Sequence, residues 1–255
     1  MIAFEIWPIT VYWYGIFYAV SFLLGYFYIK KLAQKYLKLS NLSKFLDDLL
    51  FFSILWVLIW GRLWYVFFYN FSYFVQNPLK VFAVWEWWMS FVGAFMWVAI
   101  SLYILARKYK INYFKLTDLI VSFVPFWIWL WRIGNYLNQE LYWKECPEFL
   151  LWTFLCNNFW TDNFYIANQL LEAFFEGFLL FLIFQYLVWK KNILNKTGLL
   201  TWIFIVYYSF VRFLLEFVRW HPQDYILYFW LSISQYFMIL FFFVWLGLIY
   251  VFLKR

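Results

Sequence analysis

Apolar residues run through this chain in blocks long enough to cross a bilayer, and polar positions gather in the gaps between them. A hydrocarbon core of about 30 Å takes roughly 20 apolar residues per helix. By that measure the blocks predict seven transmembrane helices, over about 9–29, 49–68, 81–105, 116–131, 164–189, 199–218 and 226–252. Residues 144–163, between the fourth and fifth, read as mixed and irregular. Only helices and closed barrels satisfy the backbone in lipid. The expected fold class is therefore all-α: a polytopic membrane protein forming a single integral-membrane domain over residues 1–255.

Composition agrees with that pattern. With 67% hydrophobic and 13% charged residues, the chain falls far short of the roughly 25% charge that covers a soluble domain. The first residues carry Glu5 and Pro8 and no basic region ahead of the apolar run, so they are read as a retained helix, not a cleaved signal. The net charge of +7 comes largely from lysines and arginines after the first, third and fifth spans and at the C-terminus. Such a distribution sets orientation, placing the N-terminus outside and the C-terminus in the cytoplasm. Nucleic acid is not an expected partner. Cys146 and Cys156 share one inter-helix loop, either as a pair in an oxidising compartment or as bystanders, the second being the reading favoured. No cluster has metal-ligand spacing, and no cofactor is expected.

Ionisable groups within a span are costly unless they face a protein interior or a wet cavity. Arg62, Arg212, Glu172, Glu176 and Glu216 each therefore need a partner or a ligand. Arg212 and Glu216 are spaced i, i+4, on one helix face with Tyr208, and such a pair can neutralise itself. The sharpest polar interruption is RIGNYLNQELYWK at 132–144, which follows an aromatic run at the outer end of the fourth span. Arg132 stands there beside Asn135, Asn138 and Glu140, either snorkelling to the interface or holding a phosphate through its guanidinium fork. Arg212, Glu216 and Arg219 belong to the outer end of the sixth span, so both polar clusters share a membrane face.

RIGNYLNQELY at 132–142 resembles the signature of the prolipoprotein diacylglyceryl transferases, and the resemblance extends over nearly the whole chain. VYWYGIFYAV at 11–20 is similar to that family's first-span pattern, with its functional tyrosine at Tyr14. GRLWYVFFYN at 61–70 resembles its GRLGY pattern, MSFVGAF at 89–95 its MSFHGG pattern and NQLLEAFFEG at 168–177 its SQLYEA segment. YYSFVRFLLEFVR at 207–219 carries Tyr-x3-Arg-x3-Glu, and LSISQ at 231–235 is similar to the last-span LSMGQ. The resemblance implies a plasma (inner) membrane enzyme, its active site toward the outer face. It would move a diacylglyceryl group from phosphatidylglycerol to the lipobox cysteine of a preprolipoprotein, releasing glycerol 1-phosphate. It further implies that Arg132 and Arg212 bind the phosphate, that Asn135, Asn138 and Glu140 shape the site, and that Tyr14, Tyr208 and Glu216 line it.

Two departures stand out. The family's third-span histidine falls on Val92, and the sole histidine, His221, matches no catalytic position. That leaves Tyr208 or water to take the thiol's proton, and keeps open the alternative of a catalytically impaired lipid-binding relative or a small transporter. Where the family usually has glycine, this chain has tryptophan at Trp60, Trp64, Trp87, Trp88, Trp97, Trp131, Trp143 and Trp202. Membrane helices use small residues to approach one another. The pattern points to a gene in which UGA encodes glycine and is rendered here as tryptophan. At Trp143 an interfacial aromatic belt is the competing reading.

Overall fold

The computed structural model describes residues 2–6, 9–37, 39–68, 71–82, 91–138, 145–151, 153, 155–157, 164–218 and 231–253. Its elements are the strands β1 (Ile2–Ile6) and β2 (Ile9–Tyr12), then α1 (Trp13–Tyr36), α2 (Leu42–Phe68), α3 (Phe71–Gln76), α4 (Phe91–Lys108), α5 (Tyr113–Val121) and α6 (Val124–Leu137). After the strands β3 (Cys156–Asn157) and β4 (Tyr165–Ile166) come α7 (Asn168–Glu172), a π-helical segment (Ala173–Leu179), α8 (Leu180–Trp189), α9 (Leu199–Glu216) and α10 (Ile233–Leu253).

Among the described residues, three helical stretches are long and apolar enough to cross a membrane: Gly15–Tyr36, Asn168–Trp189 and Leu199–Glu216. The bent pair α5–α6 makes a fourth if counted as one span. The chain is a mainly helical membrane protein. Several boundaries differ from those predicted. The first helix starts at Trp13 because the residues before it form an antiparallel hairpin, with Glu5 opposite Thr10 and Ile6 opposite Ile9. The fourth span is two helices meeting at 42°. Pro125, in the first turn of α6, lacks an N–H and disfavours helix at the residue before it. At the break the Ser122 hydroxyl donates to the Leu119 carbonyl at 2.6 Å. The fifth begins at Asn168, after a short strand at Tyr165–Ile166.

Two compact units are present. One comprises Met1–Ile29 and Asp118–Arg255, the other Lys30–Thr117. In the second unit, α2 packs along α4 and the Asp48 carboxylate accepts from Lys108 Nζ and the Tyr109 hydroxyl, each at 2.5 Å. Arg62, 2% exposed, donates to the carbonyls of Lys80 (2.6 Å) and Val81 (3.2 Å), and its guanidinium lies over the Phe74 ring. These contacts answer this cation's need for partners, through backbone oxygen and an aromatic face.

The first unit turns apolar side chains outward and polar ones inward. Leu23, Phe27, Leu182, Ile183, Phe210, Leu214 and Phe243 are exposed, while Arg132, Asn135, Asn168, Glu172, Glu176 and Glu216 are buried. Water would punish that arrangement; a lipid surround favours it. One polar contact sets the start of α9. Asp118, on α5, accepts from the backbone N–H of Gly198 (2.5 Å) and Thr201 (2.8 Å) and from the Thr201 hydroxyl (2.6 Å), filling positions that a helix leaves without partners. Gly198 has φ 90°, a left-handed conformation that favours glycine.

Candidate active site

The site is built where α6, the α7–π–α8 helix and α9 meet. On α6, Arg132 and Asn135 are three residues apart and so share a face, and both are buried. That face is pressed against the π segment. A Cβ added at Gly177 would lie 2.6 Å from Trp129 Cα, so only glycine permits this approach of the two backbones. Aromatic contacts continue the register, with Trp129 against Phe178 at 5.2 Å and Phe126 against Phe181 at 5.3 Å between centroids.

Close approach of the helices brings charge onto charge. Arg132 Nη1 lies 2.9 Å from Glu172 Oε2, and its Nη2 donates to Glu176 Oε2 at 3.2 Å. The first contact is electrostatic without hydrogen-bond direction, which is why Glu172 Oε2 lacks a hydrogen bond among the described residues. From α9, Arg212 Nη1 donates to Glu172 Oε1 and, at 3.4 Å, to Glu176 Oε1, while its Nη2 donates to Glu216 Oε2 at 3.2 Å. Two guanidiniums thus meet three carboxylates in one buried network. The wide turns of the π segment hold Glu176 in place, and such segments are frequent at functional sites. The Tyr207 hydroxyl donates to the Phe175 carbonyl within that segment at 3.0 Å.

The network is extended by the LSISQ motif. Ser232 Oγ accepts from the Gln235 N–H (3.2 Å) and Gln235 Oε1 accepts from the Ser232 N–H (2.8 Å), a reciprocal capping box that starts α10. The same serine hydroxyl reaches Glu216 Oε1 at 3.3 Å, and Gln235 Nε2 reaches the Phe213 carbonyl. The motif therefore anchors α10 to α9 beside the charged network.

Asn135 Oδ1, Arg132 Nε and both side-chain polar atoms of Asn168 are buried with no hydrogen-bond partner among the described residues. A buried network that pairs its charges but leaves amides unsatisfied is suited to a polar ligand. Both arginines reach the same two carboxylates, so one tetrahedral oxyanion in that position would also lie within reach of both forks.

The sequence-predicted residues are distributed as follows. Arg132, Asn135, Arg212 and Glu216 come together. Tyr208, one turn before Arg212, stacks on Phe204 at 5.7 Å and stands within electrostatic range of Glu176, Arg132 and Arg212. Asn138 caps α6, its N–H donating to the Gly134 carbonyl at 2.9 Å. The Tyr14, Trp143 and Val92 side chains, Glu140, His221 and Arg219 lie outside the described residues.

Two open alternatives are decided and one expectation is corrected. Arg132 is not snorkelling: it is 7% exposed, and its partners sit 40 and 44 residues later, on the facing helix. The self-neutralising Arg212–Glu216 pair exists, but within the larger network. Cys146 and Cys156 are disulfide-bonded, with Cα atoms 6.1 Å apart, because the loop folds back through β3 and β4. Glu172 and Glu176 were expected to need a partner or a ligand; their placement between the two arginines had no signal beyond being carboxylates within an apolar run. Among the described residues no group of His, Cys, Asp or Glu could hold a metal ion.

The prolipoprotein diacylglyceryl transferase family model matches residues 1–251. The chain is 37% identical over 218 residues to the phosphatidylglycerol–prolipoprotein diacylglyceryl transferase of Rickettsia typhi, covering 86% of this chain and 83% of that protein. The protein of the same name from Rickettsia felis is also 37% identical, and that from Rickettsia bellii 34%, each over 86% of this chain. The chain belongs to the prolipoprotein diacylglyceryl transferase family.

Proposed function

We propose that this protein transfers a diacylglyceryl group from phosphatidylglycerol to the lipobox cysteine thiol of a preprolipoprotein, the first step of lipoprotein maturation. The observation that carries the reading is the convergence of Arg132 and Arg212, from two different helices, on the same carboxylates. A phosphodiester entering there exchanges carboxylate oxygens for phosphate oxygens on both guanidiniums. The thiolate sulfur attacks the glyceryl C3, the S–C bond forms, and the bond from C3 to the phosphate ester oxygen breaks, that oxygen staying on phosphorus. Glycerol 1-phosphate leaves with the electron pair, and both guanidiniums meet its growing charge.

The thiol's proton passes to water, directly or relayed by the Tyr208 hydroxyl, which gives up its own proton as it accepts one. A thiol with pKa about 8.5 needs less assistance than a hydroxyl, so the reaction tolerates Val92 at the family's histidine position. The family resemblance assigns Asn135, Asn138, Glu140 and Tyr14 to headgroup binding, and Glu216 holds Arg212 in orientation.

The remaining features follow the same reading. Seven helices cross the plasma membrane, with the N-terminus outside and the C-terminus in the cytoplasm, and residues 1–255 act as one catalytic domain. The lysine-rich loops support that orientation, as does a disulfide in the loop assigned to the outer face. Family membership and the names of the relatives favour a transferase over a transporter or an inactive lipid binder. The test is incubation of the purified protein with phosphatidylglycerol and a lipobox peptide, followed by mass measurement. A diacylglyceryl adduct on cysteine is expected, and its absence with folded protein would contradict the proposal.

A further inference from the structure

One polar side chain at this site has no task in the mechanism above. Asn168 opens α7 and is 0% exposed, yet neither its Oδ1 nor its Nδ2 has a hydrogen-bond partner among the described residues. A buried amide left this way is costly, and calls for a specific cause.

The register of the two helices says what Asn168 faces. Phe126 meets Phe181, Trp129 meets Gly177 and Phe178, and Arg132 meets Glu172 and Glu176. As numbers rise on α6 they fall on the facing helix, so the two run antiparallel. One turn beyond Arg132 is Asn135, and one turn before Glu172 is Asn168, on the faces that carry the ion pair. Asn135 Oδ1 is likewise buried and without a partner among the described residues. Two amides thus lie one helical turn, about 5 Å along the helix axes, beyond the Arg132–Glu172 pair.

Their chemistry selects the ligand. Amides carry no charge to neutralise an anion, so this level suits neutral hydroxyls better than a second phosphate. A side chain offering both a donor and an acceptor matches hydroxyl groups, which do the same. One helical turn beyond the Arg132–Glu172 pair is about the reach of a glycerol unit from its phosphate. The disulfide-bonded loop fixes the position: Cys156 pairs in register with Ile166, and the Ala167 N–H donates to the Leu155 carbonyl at 2.6 Å, immediately before Asn168.

We propose that Asn168, facing Asn135, hydrogen-bonds the hydroxyls of the headgroup glycerol and so selects phosphatidylglycerol over phospholipids that lack them. This rests on the phosphate reading of Arg132 and Arg212. The test compares binding of phosphatidylglycerol and of phosphatidylpropanol with matched acyl chains, titrated into detergent-purified protein by native mass spectrometry. The unmodified protein is expected to favour phosphatidylglycerol about tenfold. Asn168→Ala should remove that preference by weakening phosphatidylglycerol alone, while thermal stability stays level or rises, since an unsatisfied amide is lost. Asn168→Ser, which keeps a donor and an acceptor, should retain part of it. Arg132→Ala should weaken both lipids alike. No preference in the unmodified protein, an unchanged preference in Asn168→Ala, or equal loss of both lipids there overturns the proposal. If Arg132→Ala binds both lipids normally while Asn168→Ala loses the preference, the phosphate reading fails and the hydroxyl site stands.

Discussion

Glu172 bridges two arginines: its Oε2 faces Arg132 Nη1 at 2.9 Å and its Oε1 accepts from Arg212 Nη1. One carboxylate on α7 therefore joins α6 to α9 and fixes the separation of the two guanidiniums. Positioning the cations is as necessary as possessing them, because a phosphate must reach both at once.

Arg212→Gln should therefore destabilise strongly. It leaves Arg132 alone against the three buried carboxylates Glu172, Glu176 and Glu216, and an uncompensated buried charge costs about 3–5 kcal/mol. The combined Glu172→Gln/Arg212→Gln protein should recover part of that loss. Thermal unfolding in detergent measures both, and additive losses would contradict a shared network.

Gly177→Ala is expected to force α6 away from the π segment, because the added methyl would stand 2.6 Å from the Trp129 backbone. Overpacking of this kind costs about 1–3 kcal/mol or more, and transfer activity should fall with it. Gly15→Ala, with nothing within 4 Å of the added carbon, is the matched control and should be neutral. Equal behaviour of the two variants in unfolding and activity assays would contradict the packing argument.

Much of the fold was legible from apolar runs alone, because lipid imposes length on every spanning helix. The start of α10 was not: the seventh apolar block begins at about 226, whereas α10 begins at Ile233, after the capping box of Ser232 and Gln235. What composition hides is departure from regularity: a hairpin ahead of α1, a bend at Pro125, a π segment from Ala173 to Leu179. These depend on packing partners far along the chain. For the same reason Arg132 looked unpaired in sequence, its partners being 40 and 44 residues away.

The disulfide yields a chemical prediction. Without reduction, a maleimide reagent should label no cysteine among Cys146 and Cys156, and after reduction it should label both. Replacing both with serine should loosen the 145–166 loop by about 2–3 kcal/mol, the scale for a loop of this length. Limited proteolysis reads the loosening, and unchanged cleavage would contradict it.

The tryptophans make a prediction about the gene. Trp131 stacks on Trp127 at 5.1 Å and its ring carries the Arg132 guanidinium at 4.9 Å. Arg132 keeps its carboxylates whether or not that ring is present. UGA codons are expected at Trp60, Trp64, Trp87, Trp88, Trp97, Trp131, Trp143 and Trp202, with UGG at Trp13 and Trp85, and peptides from the native organism should carry glycine at the first set. UGG throughout would contradict the reading.

The most direct test of the central claim is the rate of diacylglyceryl transfer to a lipobox peptide by Arg132→Ala and Arg212→Ala, each confirmed as membrane-inserted. Transfer should be abolished in both, because each removes one of the two forks that hold the phosphate. Full activity in both variants would contradict the account.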